Sequence, residues 1–191
     1  MAIKTWSSGE VLTASDLNTY AGNPGLVYVT QVTIGTAVSS VVVSNAFSSV
    51  AFSYRIVISN VQMSSTAGTT NMWLRMHDGT NAAASNYNYG IARVDLATGA
   101  VSGIAAALGT NGMFLGTGTG DLFGTAIDIV NPNLASHTIF PVISQSQVST
   151  GYSGSGAGMH QTSTAYTGFD VRPSTGTMTG GIITVYSYRK A

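Results

Sequence analysis

The stretch FSYRIVISNVQM, residues 52–63, decides the fold class. Tyr54, Ile56 and Ile58 fall on one side of an extended chain, and Arg55, Val57, Ser59 and Val61 on the other. This period of two, rich in β-branched residues, predicts a strand with one face on a core. The same rhythm recurs outward in both directions. Upstream, Tyr28, Thr30, Val32 and Ile34 share a face, and SSVVVSN (39–45) is a short β-branched run. Downstream, TNMWLRMHD (70–78) sets Met72, Leu74 and Met76 against Trp73, Arg75 and His77. GTAIDIVNP (124–132) sets Ala126, Asp128 and Val130 against Ile127 and Ile129. HTIFPVISQSQ (137–147) is a further strand whose Pro141 marks an edge or a bulge. YTGFDVRP (166–173) and GIITVYSYRK (181–190) complete the series, the last with Ile183 and Val185 opposite Ile182, Thr184, Tyr186 and Tyr188. Roughly eight or nine strands at this spacing predict an all-β, antiparallel, jelly-roll-like sandwich.

Two regions read less simply. Within 79–120, SNYNYGIARVDL and GMFLGTGTGDLFG each hold room for one strand. Ile104–Leu108 has some helical character, but the surrounding glycines favour turns and short strands. Residues 149–166, STGYSGSGAGMHQTSTAY, read as a long loop of small residues, either functional or disordered.

The first 25 residues differ from the rest. Thr13 is placed to cap a helix, with Asp16 three residues on and Leu12 and Leu17 at staple positions. Gly22 and Pro24 end it. A helix of about eight residues is unstable alone, so it must dock on something. The domain plan is therefore an anchor segment, 1–25, and a β-sandwich domain, 26–191.

Composition narrows the function. Only 7% of residues are charged, against roughly 25% in an ordinary domain. Lys plus Arg equals Asp plus Glu at seven each, which leaves no basic footprint for nucleic acid. Low charge with no net excess favours association. No apolar run reaches the length of a membrane span, and the N-terminus lacks a signal-peptide core. There is no cysteine, which removes thiol chemistry. These features predict a chain made in a cytoplasm and built into an assembly.

Catalytic patterns are weak. The histidines share no metal-ligand spacing, so no metal or other cofactor is expected; His160 is the one candidate for a site gathered on an oligomer axis. GTGTGD (116–121) and GYSGSGAG (151–158) lack the lysine of a phosphate loop, and Ser155 stands where a nucleophile elbow needs glycine. DGTN (78–81) reads as a β-turn. Asp121 and Asp128 are the carboxylates to test for glycan cleavage. Tyr87, Tyr89, Tyr152 and Tyr166 stand among Ser, Asn and Gly. That mixture suits either an adaptable binding surface or inward packing.

TWSSGEVLTASDLN, near the N-terminus, resembles the opening of bacteriophage tail and appendage proteins, with the pattern W-x-x-G-x-x-L-T-A-x-D-L-N carried by Trp6, Gly9, Leu12, Thr13, Ala14, Asp16, Leu17 and Asn18. The C-terminal RPSTGTMTGGIITVYSYRK resembles the last hairpin of phage virion β-domains, with Ser187 in place of a glycine. The resemblance implies a virion protein, made in the host bacterial cytoplasm, that is not an enzyme. It implies a homotrimer that docks on other virion proteins through Trp6, Leu12, Leu17 and Tyr20 and meets the host surface, including its glycans, through its loops. Tyr87, Tyr89, Tyr152 and Tyr166 are the expected receptor contacts. A capsid decoration protein and a carbohydrate-binding or carbohydrate-cleaving sandwich are the alternatives.

Overall fold

Period-two burial along each segment is what builds the sheets. The computed structural model describes residues 7–11, 13, 25–64, 70–118, 122–147 and 151–188. The predicted helix, the docking residues Trp6, Leu12, Leu17 and Tyr20, and Asp121 lie outside the described residues. The described strands are β1 (Leu26–Thr33), β2 (Val41–Val43), β3 (Ser53–Met63), β4 (Thr70–His77), β5 (Tyr87–Asp95), β6 (Val101–Gly109), β7 (Met113–Gly118), β8 (Leu122–Val130), β9 (Thr138–Gln147), β10 (Tyr152–His160), β11 (Gly168–Pro173), β12 (Met178–Thr179) and β13 (Ile182–Tyr188).

They form two antiparallel sheets. The larger runs β1-β13-β3-β8-β9-β10-β5-β6, with β12 also on β3, and the smaller runs β2-β11-β4-β7. Setting aside β5, β6, β9, β10 and β12 exposes a nested scheme. In it β1 pairs with β13, β2 with β11, β3 with β8 and β4 with β7. Successive pairs of this set alternate between the sheets, which is one long hairpin rolled on itself, a jelly roll. The hairpins β5–β6 and β9–β10 extend the larger sheet beyond β8.

The core lies between the sheets. Tyr54, Ile56, Ile58, Ile127, Ile129, Ile183 and Val185 from the larger sheet meet Val43, Met72, Leu74, Met76, Phe169 and Val171 from the smaller, all buried. Phe47 stacks on Phe169 and meets Tyr54 edge-on.

Two bulges revise the expected faces. Tyr54, Ile56 and Ile58 point inward as predicted, but so does Val61, because the β3–β8 register slips between Ile58 and Val61. Asn60 sits there at φ 56, a conformation Asn tolerates better than most residues. One extra residue flips every later side chain to the other face. A slip between Tyr28 and Thr30 does the same to β1. Tyr28 is 60% exposed on the outer face, whereas Ile34 is buried. Pro141 falls in β9, an interior strand, where the register with both neighbours shifts; the proline marks a bulge rather than an edge.

Residues 149–166 are not one loop. The segment YSGSGAGMH is strand β10, and its glycines explain why. Gly154, Gly156 and Gly158 lie opposite Arg93, Ile91 and Tyr89 of β5. A Cβ on Gly156 would overlap the Gly90 carbonyl oxygen and fall 2.7 Å from Ile91 Cα, and one on Gly158 would fall 2.5 Å from the Asn88 oxygen. Any larger residue at these positions would separate the two strands. Ile104–Leu108 belongs to β6, not to a helix.

Candidate functional site

The four tyrosines expected at a receptor surface divide into two pairs. Tyr87 is fully buried. Its hydroxyl donates to Ala83 O (3.1 Å) and accepts from Met76 N (2.9 Å). It thereby closes the open edge of β4 beyond the point where β7 begins. Burial raises its pKa well above the usual phenol range. Tyr166 is also buried. Both are packing residues, which corrects the expectation that they contact a receptor. Tyr89 and Tyr152 are only half-buried. Tyr89 stacks on Phe114 and leans on Trp73. Tyr152 lies under the Arg93 guanidinium, 3.9 Å from ring centroid to Cζ.

His160 organises the interior cluster. It is fully buried, with its ring centroid 4.3 Å from that of Tyr87. Nε2 lies 2.9 Å from Ser85 O, a contact only an N–H satisfies, so Nδ1 is the acceptor. Thr162 Oγ1 lies 2.8 Å from Nδ1, and Tyr166 Oη lies 2.8 Å from Thr162 Oγ1. The donor chain runs Tyr166 to Thr162 to His160 to Ser85. Burial pushes the imidazole pKa down, partly offset by the Ser85 bond, with His137 adding to the depression. Both nitrogens are engaged within the chain, so His160 is not available to a metal on an oligomer axis. Among the described residues no group of three His, Asp or Glu is placed to hold a metal.

The outer face of the larger sheet carries a charged centre. Arg55 grips Asp128 with two bonds, Nε to Oδ1 at 2.7 Å and Nη2 to Oδ2 at 2.8 Å, and Tyr188 donates to Oδ1 at 3.0 Å. Both oxygens of Asp128 are therefore committed. The Asp128 bond raises the Arg55 pKa. Tyr28 meets Tyr186 edge-on beside this pair. On the smaller sheet, Arg172 pairs with buried Asp170. Asp78 Oδ1 accepts from Thr80 N and Asn81 N, which makes DGTN the turn that was expected and holds the Asp78 carboxyl below its usual range.

An accessible concavity lies on the sheet extension. Asn88, Gly90, Ala107, Ile139, Ala157 and Met159 line an open groove of about 510 Å³. Ile139 is 43% exposed and Met159 36%. Its floor is small and apolar, with no charged side chain, so it offers shape and dispersion rather than acid–base chemistry. Sequence reading missed it because β10 was taken for a loop and the strands that line it are not consecutive in sequence.

No protein-family model, curated protein or solved structure matches this chain.

Proposed function

We propose that this chain is a structural subunit of a bacteriophage virion, of tail-fibre or appendage type. It self-associates, docks on the particle through residues 1–25 and projects its jelly roll outward. The observation that carries this reading is the motif W-x-x-G-x-x-L-T-A-x-D-L-N, at residues 6–18, set directly before a β-domain. The sandwich supports it, because jelly rolls recur among viral structural domains. A surface made soluble by hydroxyls and amides suits a protein packed among copies. Host contact then falls to the apolar groove with half-buried Tyr89 beside it, and to Tyr152, rather than to Tyr87 and Tyr166. The work is binding by a rigid scaffold, which orders little on contact.

Peptide mass spectrometry of purified particles from cells making this chain tests the proposal. Recovery of the chain in particles, lost when residues 1–24 are deleted, is the expected result. Its absence from particles would sink the reading. Hundreds of copies per particle would move it to shell decoration.

A further inference from the structure

We infer that β6 is a seam between two copies of this chain, paired antiparallel about Ile104. β6 ends the path of the larger sheet, and among the described residues no strand pairs with its outer side. The strand reads VSGIAAALG, with no charge and no proline, and its bulge lies at Leu108, beyond the stretch that would pair, so the usual guards against edge pairing are absent from Val101 to Ala107. The other edges differ. β1 is broken by its bulge, β2 has three residues, and β7 touches β8, β9, β10 and β5.

The details favour a second copy as the occupant. β6 pairs regularly with β5 from Val101 to Ala106, and the register slips only beyond, where Leu108 takes φ 54. The stretch Val101–Ala107, one residue longer than that regular pairing, is centred on Ile104. A two-fold axis there sets Val101 against Ala107, Ser102 against Ala106 and Gly103 against Ala105, each larger residue facing a smaller one. Ile104 meets its own copy. It is half-buried and packs on the core from one side only, so the pairing completes its burial and joins the two cores. Val101, 77% exposed, arrives beside Leu108, 56% exposed, at both ends of the seam. A chain of zero formal net charge does not repel its copy. Roughly six to eight backbone hydrogen bonds would form, an even number under the two-fold and within the range of an ordinary interface. Such a contact is isologous and closes on itself.

The seam does not depend on the virion reading, since the purified chain would pair by itself. Sedimentation equilibrium of the full chain, wild type and a Gly103→Lys/Ala105→Lys double variant, tests it. Both positions are exposed, and the pairing opposes Lys to Lys twice. The double variant is expected to halve the solution mass with an unchanged circular dichroism spectrum. A wild-type mass of 19.6 kDa, or any mass the variant leaves unchanged, overturns the seam. Because the chain has no cysteine, Ile104→Cys gives a second readout independent of the lysine variant. It should form a disulfide-linked dimer on oxidation, as directly opposed strand residues allow, while Val50→Cys, exposed and remote, should not. Failure of Ile104→Cys to cross-link also overturns the proposal.

Discussion

Nε2 of His160 donates to the carbonyl of Ser85 across 2.9 Å, from a position with no solvent exposure. The bond fixes the neutral tautomer in the fold. Burial depresses the folded pKa below the value near 6.5 expected in the unfolded chain. Below about pH 6.5 the unfolded chain therefore binds a proton that the native state resists. The stability contributed by this site is complete above that pH and falls as the solution is acidified. Urea unfolding at pH 7.5 and 5.5 should show a lower midpoint at the acid pH. His160→Gln should flatten that difference. An unchanged slope in the variant would assign the pH effect elsewhere.

Tyr87→Phe removes one hydroxyl and strands two backbone groups, Met76 N and Ala83 O. Leaving a buried amide unpaired costs about 1–3 kcal/mol. The variant should stay folded and unfold at lower denaturant, by roughly that amount, with an unchanged m-value. A loss below about 0.5 kcal/mol would show that solvent reaches the β4 edge.

Gly156→Ala and Gly103→Ala form a matched pair. The first drives a methyl into the β5 backbone, whereas the nearest atom to a Cβ on Gly103 is Ile91 O at 3.8 Å. Gly156→Ala should cost more than about 2 kcal/mol, in the range of overpacking, and Gly103→Ala less than about 0.5 kcal/mol. Equal thermal shifts for the two would count against the close β10–β5 approach.

Leu26, the first residue of β1, lies opposite Tyr188, the last of β13. Residues 1–24 thus precede an edge strand rather than a central one. Their deletion should leave the β-domain folded, with a melting temperature within a few degrees of the full chain. A chain that fails to fold would place the N-terminal segment inside the core.

Much of this architecture was legible in alternation. The inward sets Tyr54/Ile56/Ile58, Met72/Leu74/Met76, Ile127/Ile129 and Ile183/Val185 all fall where period two put them. What failed did so because it is set by partners distant in sequence. Val61 and Tyr28 changed faces because bulges are set by pairing partners far away in sequence. β10 was hidden because a strand pressed against its neighbour needs the same small residues that mark a loop. The burial of Tyr87 and Tyr166 depends on His160, Thr162 and Ser85 converging from separate segments, which spacing does not reveal. The groove combines β5, β6, β9 and β10, and sequence does not place those strands side by side.

β13 lies between β1 and β3 in the larger sheet. The last of the described strands is therefore the wedge that joins the first of them to the rest. A growing polypeptide on the ribosome holds two unfilled backbone edges until Ile182–Tyr188 has emerged. Closure of the sandwich is then dominated by contacts distant in sequence, which makes folding slow. Until then β1 and β3 stay open to chance pairing with a neighbouring nascent chain. The order of synthesis, and not only the final contacts, shapes how such a subunit reaches its assembly.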